Sequence, residues 1–258
     1  MTVLTIMTRN CRRVDHYSLR RGRCAAAIAV LAAIATLTLW SPYFAWAWGT
    51  DDQAMADEIV EMLAIKPGAT VAEIGAGDGA MAMRVAKKLG PGGRVFATEI
   101  DPALIEQIRE RARMADLNNV TVVTATPTDS GLPANCCDAA YMIGVYHHIT
   151  DPAPTDASIF RALKPGARLL INDFPPTIWL ALFKVNGVPA NRGGHGVPDD
   201  IVINEITAAG FREMKETRPW HPGLLIRDTY CLVFSKPEDS KTAAHKIGFP
   251  ARPAPSPP

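Results

Sequence analysis

The sequence predicts an α/β protein built on a doubly wound, mostly parallel seven-stranded sheet with an antiparallel hairpin edge. Three observations lead to this fold class. Short apolar runs alternate with helical segments of ten or more residues, which is typical of a parallel sheet with helices on both faces. A glycine turn at 75–79 joins the first run to the next helical segment, and the last two runs have no helix between them. A chain of 258 residues can give one such domain a full core.

The predicted elements follow one another in a regular order. Apolar residues recur at helical spacing in the first helix, before Lys66-Pro67-Gly68 breaks the pattern. Pro102 opens the third helix at the position that proline favours, and Gly210 stops the last one. The predicted helices are 54–63, 80–89, 102–115, a segment that ends near 163, and 199–209. The predicted strands are 70–74, 94–100, 120–125, 138–145, 168–173, 211–217 and 229–235.

Residues 1–47 are predicted to be a targeting segment, either a cleaved signal peptide or a retained membrane anchor. Arginines precede an apolar run at 25–39, and Ala45-Trp46-Ala47 offers a small-x-small cleavage site. Residues 25–48 together approach the roughly 20 residues that cross a bilayer, so an anchor stays open, as does a misassigned start. Because the arginines lie before the run and acids follow it, we expect the body to be exported (periplasmic or secreted) or membrane-anchored.

The rest of the chain divides into a folded body at 50–237 and a proline-rich tail at 238–258 that is predicted to be disordered. Residues 1–47 contain six of the 27 basic and one of the 26 acidic residues, so the remainder has a net charge of −4. A mildly acidic body argues against a nucleic-acid partner, because phosphate binding needs a basic face. The three cysteines of the body show neither a disulfide framework nor metal-ligand spacing, and no metal site is predicted.

Polar residues gather at the predicted carboxyl ends of the strands, where an open α/β sheet binds its ligand. Gly75, Gly77 and Gly79 allow a tight turn and remove side chains where a ligand would approach the backbone. Two carboxylates flank this turn. Glu73 lies in the first strand two residues before Gly75, and Glu99 ends the second strand.

The two carboxylates bear on which kind of ligand such a turn can bind. The spacing from Gly75 to Ala80 also fits a relaxed dinucleotide fingerprint, and Glu99 would suit the ribose hydroxyls of NAD or of S-adenosylmethionine alike. Glu73 discriminates between them. A carboxylate repels a diphosphate but attracts the ammonium and sulfonium groups of S-adenosylmethionine, so the pattern favours the sulfonium cofactor.

The motifs, in this order and spacing, resemble those of the class I S-adenosylmethionine-dependent methyltransferases, a family with a Rossmann-like fold. The resemblance covers roughly residues 54–237. The motifs that carry it are Ala72-Glu-Ile-Gly-Ala-Gly-Asp-Gly79, Thr98-Glu-Ile-Asp-Pro102, Leu132-Pro133 with Asp138, Tyr146-His-His-Ile149 and Leu163-Lys-Pro-Gly-Ala-Arg168. Together they imply methyl transfer from S-adenosylmethionine to an acceptor, which we expect to be a small molecule.

The resemblance also implies how the cofactor would bind. Glu73 and the three glycines would face the methionine part, Glu99 the ribose hydroxyls and Ile100 the adenine. Many members carry Gly-Asp at the end of the third strand, whereas this chain has Ala125-Thr126, and Asp129 is expected to stand in near the adenine amine. For Asp78 two interpretations stay open, a cofactor ligand or a structural charge at the start of the following helix.

Three residues are weak candidates for a catalytic role. His147 and His148 follow the fourth strand, and Asp173 ends the fifth. Methyl transfer in this family often needs no strong base, because the sulfonium is already activated and catalysis is largely the positioning of an in-line attack. The alternative is that the histidines only pack at the start of a helix. The segment 175–196 is a candidate lid over an apolar acceptor, or else part of the core.

Two rival functions stay open at this point. One is an NAD(P)-dependent oxidoreductase, which would have no use for Glu73. The other is a non-catalytic, exported binding protein that keeps a methyltransferase fold, because S-adenosylmethionine is made and kept in the cytoplasm. The oligomeric state cannot be predicted from the sequence.

Overall fold

The structure, a computed structural model, describes residues 52–177, 187–188, 195–222 and 228–238. The predicted targeting segment, the central part of the candidate lid and the tail from 239 onwards lie outside the described residues. Within the described part, no helix is both long and apolar enough to span a bilayer.

The described residues form seven strands and five α-helices. The strands are β1 Thr70–Ile74, β2 Arg94–Glu99, β3 Val120–Thr124, β4 Cys137–Ile143, β5 Leu163–Asp173, β6 Arg212–Thr217 and β7 Tyr230–Ser235. The helices are α1 Asp52–Met62, α2 Ala80–Leu89, α3 Pro102–Met114, α4 Pro152–Ala162 and α5 Asp199–Ala208. One turn of 3-10 helix, Tyr146–His148, precedes α4.

The strands form one sheet in the order β3-β2-β1-β4-β5-β7-β6. Strands β1 to β5 pair in parallel, while β7 runs antiparallel to both β5 and β6. The predicted fold class, a mostly parallel seven-stranded sheet with an antiparallel edge, is therefore confirmed. The strand order reverses between β1 and β4, and a crevice at such a point is where open α/β sheets bind their ligands.

Most predicted boundaries agree with the structure to within two residues, and β5 is the exception. It begins at Leu163 instead of 168, so the predicted turn at Lys164-Pro165-Gly166 lies within the paired segment. Cys137 pairs with Leu163, and the register then shifts before Ala139 pairs with Arg168. The extra residues are accommodated by this irregularity, which local turn signals in the sequence do not reveal.

Apolar side chains fill both faces of the sheet. One cluster joins the sheet to α1, α2 and α3 and includes Ile59, Val85 and Ile108. The other joins it to α4 and α5 and includes Ile159 and Ile206. Successive residues of a strand point to opposite faces, so each parallel strand contributes to both clusters and reads as an almost continuous apolar run. The helices therefore cover the two faces and leave the carboxyl ends of the strands as the place for a site.

Candidate functional site

The turn after β1 depends on its glycines. Gly75, Gly77 and Gly79 have φ angles of 70°, 55° and 78°, which is the left-handed region that residues with a Cβ rarely adopt. A Cβ at Gly75 would lie 2.7 Å from a methyl group of Val145, and one at Gly79 would lie 3.0 Å from Ile108. A Cβ at Gly77 would meet no atom within 4 Å. The outer glycines thus allow close packing, and the middle one faces open space.

Glu99 ties this turn to the end of β2. Its Oε2 accepts a hydrogen bond from the backbone N–H of Gly77 at 2.8 Å. Its Oε1 accepts from the N–H groups of Ile100, at 2.7 Å, and of Asp101, at 3.1 Å. A carboxylate oxygen can accept two hydrogen bonds, so Oε2 retains capacity for a ligand hydroxyl. Sequence reasoning predicted the ribose role of Glu99 but not its contact with the glycine turn.

Ile100 lies directly beyond this carboxylate and is unusually exposed for its type. Its side chain is 55% exposed, whereas Glu99 before it is buried. Large apolar side chains are normally covered, and one held open at the carboxyl end of a strand offers a surface for a flat apolar group. Its position is compatible with the predicted adenine contact.

Glu73 is buried under the glycine turn on the face of the sheet that carries α2. The hydroxyl of Tyr141, on the neighbouring strand β4, donates to its Oε2 at 3.1 Å, and the backbone of Ala82 in α2 forms a further hydrogen bond. Burial, assisted by the negative charges of Asp78 and Glu99, raises the pKa of Glu73 to about 8, although the two hydrogen bonds act to lower it. A positively charged ligand nearby would lower this pKa again, whereas a diphosphate would oppose ionisation.

The contacts of Asp78 agree with the second of its two interpretations, a structural charge at the start of α2. Its Oδ1 accepts from the backbone N–H of Ala80 at the start of α2, at 3.0 Å. Its Oδ2 forms an ion pair of 2.7 Å with Arg111 of α3, in which both side chains are about half exposed. These contacts order the first turn of α2, where a negative charge is favourable.

Asp129 has protein partners for both of its carboxylate oxygens. Oδ1 accepts from the N–H of Gly131 at 2.8 Å, and Oδ2 accepts from Arg161 at 2.9 Å. The bond from Gly131, followed by the charge of Arg161, lowers the pKa of Asp129 despite partial burial. Arg161 lies in the last turn of α4, just before β5 begins, and hence near the edge opposite the carboxyl ends. This geometry gives Asp129 a structural role, and its adenine contact stays a prediction.

His147 and Asp173, both weak catalytic candidates, form a buried pair. The Nδ1 atom of His147 lies 2.8 Å from Oδ1 of Asp173, and the backbone N–H of His147 donates to Oδ2 at 3.0 Å. The N–H of Phe174 also donates to Oδ1, at 2.9 Å. Side-chain exposure is 3% for His147 and 0% for Asp173. The fold therefore joins the ends of β4 and β5 through these two side chains.

Three more rings surround this pair. The ring centroid of His147 lies 4.0 Å from that of His148, 4.8 Å from that of Phe174 and 5.1 Å from that of His195. His148 is exposed, but partial burial and then the neighbouring His147 lower its pKa. His195, in the glycine-rich loop before α5, was not among the predicted site residues, and only its position in that loop could have suggested it.

The described residues offer no metal centre. No group of three or more metal-ligating side chains within the described ranges has a suitable arrangement. Cys136, Cys137 and Cys231 are free thiols there, and burial raises the pKa of Cys137 and of Cys231.

The residues at the carboxyl edge fit S-adenosylmethionine. Gly77 leaves open space above the turn, Ile100 offers an exposed apolar side chain, and the Glu73 carboxyl under the turn would be ionised by a neighbouring positive charge. Glu99 would meet the ribose hydroxyls, in agreement with the expected order along the edge. Tyr141, which sequence reasoning missed, holds the carboxyl of Glu73 in place.

Comparison with known proteins agrees with this description. Residues 72–169 match the sequence profile of a family described as "Methyltransferase domain". The curated relatives include proteins named ubiquinone/menaquinone biosynthesis C-methyltransferase. That of Edwardsiella ictaluri is 29% identical over 126 residues, 48% of this chain and 50% of the relative. That of Pasteurella multocida is 28% identical over 164 residues, 63% of this chain and 60% of the relative. The chain thus spans only part of these relatives.

Solved structures share the fold. A SAM-dependent methyltransferase from Aquifex aeolicus superposes with a TM-score of 0.60 at 20% identity, over 77% of this chain and 95% of that one. A geranyl diphosphate methyltransferase in complex with GPP and sinefungin superposes with a TM-score of 0.58 at 14% identity, over 71% of this chain and 78% of that one. Residues 72–169 are therefore similar to a methyltransferase domain, and the sheet order and the solved structures show that the chain has the fold of the class I S-adenosylmethionine-dependent methyltransferases.

Proposed function

We propose that this protein transfers the methyl group of S-adenosylmethionine to a small-molecule acceptor. S-adenosylmethionine supplies a methyl group on a positively charged sulfur atom, and its amino-acid part carries an ammonium group. The single observation that supports the proposal best is the position of Glu73. Its carboxyl group is buried beneath a glycine turn whose middle residue faces open space. It can therefore attract a positively charged ligand in that space while it is itself shielded from water.

Each residue of the carboxyl edge has a definite task in this proposal. Glu73 balances the positive charges of the methionine part, and Tyr141 orients its carboxyl group. Glu99 accepts from a ribose hydroxyl and at the same time holds the N–H of Gly77 in place. Ile100 packs against the adenine, which removes its exposed apolar surface from water.

Neither rival function is supported by the relatives and solved structures described above. An NAD(P) site would also place a diphosphate at the glycine turn, beside the negative charge of Asp78, and would leave Glu73 protonated and without a role. A binding protein without activity would retain the cofactor site but leave the acceptor side unused. The buried histidine–aspartate pair on that side argues for chemistry there.

The names of the curated relatives point to quinone biosynthesis and to methylation at carbon. The identity is low and the shared region covers half to three fifths of those relatives, so the acceptor of this chain is left open. In this proposal the acceptor binds on the side of the site formed by the ends of β4 and β5 and by the described residues that flank the candidate lid.

We further propose that residues 1–47 direct the domain out of the cytoplasm or anchor it at the membrane. The arrangement of arginines, an apolar run and a small-x-small site supports this. Reporter fusions placed before and after Ala47 test it, since a reporter that requires export should be active only in the later fusion. A later fusion that accumulates in the cytoplasm and stays inactive would overturn the proposal and remove the conflict with a cytoplasmic donor.

Calorimetry with the purified full-length chain tests the proposed function. S-adenosylhomocysteine, which has the product's neutral sulfur, should bind, and NADH should not. The variant Glu99→Ala should bind at least tenfold more weakly, while Glu106→Gln, which alters an exposed carboxylate of α3, should bind like the wild type. Binding of NADH with no binding of S-adenosylhomocysteine would overturn the assignment.

A further inference from the structure

The His147–Asp173 pair lies beside the proposed donor site. Val145, two residues before His147, is the residue whose methyl group contacts the space above Gly75 in the glycine turn. Gly144 has no atom within 4 Å of the place where a Cβ would lie, so the backbone just after β4 borders open space. The imidazole therefore stands at the end of β4, next to the crevice where the strand order reverses.

The hydrogen bonds determine which nitrogen of His147 carries the proton. A carboxylate can only accept, so the contact of 2.8 Å with Asp173 requires the proton on Nδ1. In the neutral imidazole the second nitrogen, Nε2, then presents a lone pair. Within the described part of the chain this Nε2 is buried and has no hydrogen-bond partner. A buried polar atom without a partner is unfavourable by about 1–3 kcal/mol, and such an atom calls for a functional explanation.

A packing role alone does not account for this arrangement. The bond from the backbone N–H of His147 to Asp173 would remain with any side chain at position 147. The ring of Phe174 is tilted against the imidazole and that of His195 is stacked on it. An apolar ring of similar size could make the same contacts. What the imidazole adds is one lone pair, held in a fixed direction by Asp173.

We propose that His147 is the general base of the methyl transfer and that the acceptor therefore carries a removable proton on its nucleophilic atom, as in a phenolic or enolic hydroxyl or an acidic C–H. Asp173 is the positioning residue that holds the imidazole. This inference rests on the proposed function, since a base is useful only beside a methyl donor.

The step balances without a further reactant. The acceptor's electron pair forms the new bond to the methyl carbon, and the pair of the broken carbon–sulfur bond stays on sulfur, which becomes neutral. The acceptor's proton passes to Nε2 of His147. The resulting imidazolium is stabilised by the carboxylate of Asp173 until the proton leaves to solvent. Acceptors such as pyridine nitrogens and thioethers carry no such proton at neutral pH and would not need the pair.

Nuclear magnetic resonance of the full-length chain tests the tautomer directly. Labelling histidine with ¹⁵N and adding S-adenosylhomocysteine should show His147 with a protonated Nδ1 and a bare Nε2 at neutral pH. His147→Asn identifies the signal, and Asp173→Asn should change the tautomer or its ring shifts. The charged and titratable groups that face this ring are Asp173, His148 and His195. A protonated Nε2 in the wild type would overturn the inference.

A panel of acceptors tests the chemistry. Simple phenols and 2-hydroxy-1,4-naphthoquinone carry a removable proton, whereas pyridine and a dialkyl thioether represent nucleophiles without one at neutral pH. Release of S-adenosylhomocysteine should occur only with the first group. His147→Asn should lower kcat by 100-fold to 10,000-fold with little change in the affinity for S-adenosylhomocysteine, and the rise of kcat with pH should disappear. His221→Asn, which alters a histidine beside Glu58, is the matched control.

The outcomes separate this inference from the proposed function. Turnover confined to pyridine or the thioether, or turnover that survives in His147→Asn, would overturn the inference while the proposed function stands. If none of the acceptors is turned over but S-adenosylhomocysteine binds, the tautomer decides, because a bare Nε2 supports the base and a protonated one refutes it. Failure of the wild type to bind S-adenosylhomocysteine would refute the proposed function and the inference with it.

Discussion

Cofactor affinity should depend on pH through Glu73. Without ligand, burial raises the pKa of this carboxyl to about 8, so at neutral pH it is mainly protonated. A bound ammonium and sulfonium favour its ionised form, so binding of S-adenosylmethionine should release a proton. The perturbation to test is Glu73→Gln, which keeps the shape of the side chain and removes the titration.

The magnitude follows from the pKa. Ionising a group with a pKa of about 8 costs roughly 1.4 kcal/mol at pH 7 and twice that at pH 6, which is a factor of about ten per pH unit. The affinity of the wild type should therefore fall about tenfold for each unit below pH 8. The Gln variant should bind more weakly at pH 8 and show a much flatter dependence between pH 6 and 8.

Calorimetry in two buffers with different ionisation enthalpies measures the number of protons released. Asp78, Glu99 and Tyr141 are the ionisable groups that contribute to the environment of Glu73, and none of them is altered in the Gln variant. Glu106→Gln again serves as the control, since its carboxylate is exposed on α3. An affinity of the wild type that varies less than threefold between pH 6 and 8, with no proton released, would refute the reasoning.

Four further predictions concern stability and binding. The folded-state pKa of Glu73 lies above its ordinary value of 4.5, so its stabilising contribution is complete below about pH 4.5 and is lost as pH rises towards 8, by up to about 5 kcal/mol. Urea unfolding should show this loss in the wild type, and Glu73→Gln should lack it. Glu99→Ala should weaken binding of S-adenosylhomocysteine at least tenfold, because a charged hydrogen bond is worth about 1.5–3 kcal/mol; a smaller change would exclude the ribose contact. Gly75→Ala should lower the free energy of unfolding by more than Gly77→Ala does, since only the Cβ at position 75 would meet a neighbour. Gly77→Ala should instead weaken binding more, relative to its effect on stability. The reverse ranking would contradict the open space assigned to Gly77. Asp78→Asn should change binding by less than threefold and stability by less than about 1 kcal/mol, because its ion pair is half exposed, and a larger loss of binding would instead make it a ligand.

Local patterns in the sequence were sufficient for the elements and for the carboxylates of the donor side. The edge formed by the carboxyl ends of the strands carries Glu73 near the end of β1, Gly77 in the turn that follows it, and Glu99 at the end of β2. Side chains at such positions can be predicted because parallel strands share one carboxyl edge. Local patterns did not reveal distant partners such as Arg161, which donates to one carboxylate oxygen of Asp129 while the nearby Gly131 donates to the other.

A doubly wound α/β domain with a glycine turn flanked by carboxylates could be predicted from residue order alone, because periodicity, turn residues and charge are local properties. The contacts of Glu73 with Tyr141, 68 positions away, and of His147 with Asp173, 26 positions away, became visible only in the folded chain. Those pairings arise from the order in which the strands lie side by side, and that order is chosen by the packing of the whole core. Burial then alters the proton affinity of the paired groups, so the chemistry of the site belongs to the folded chain.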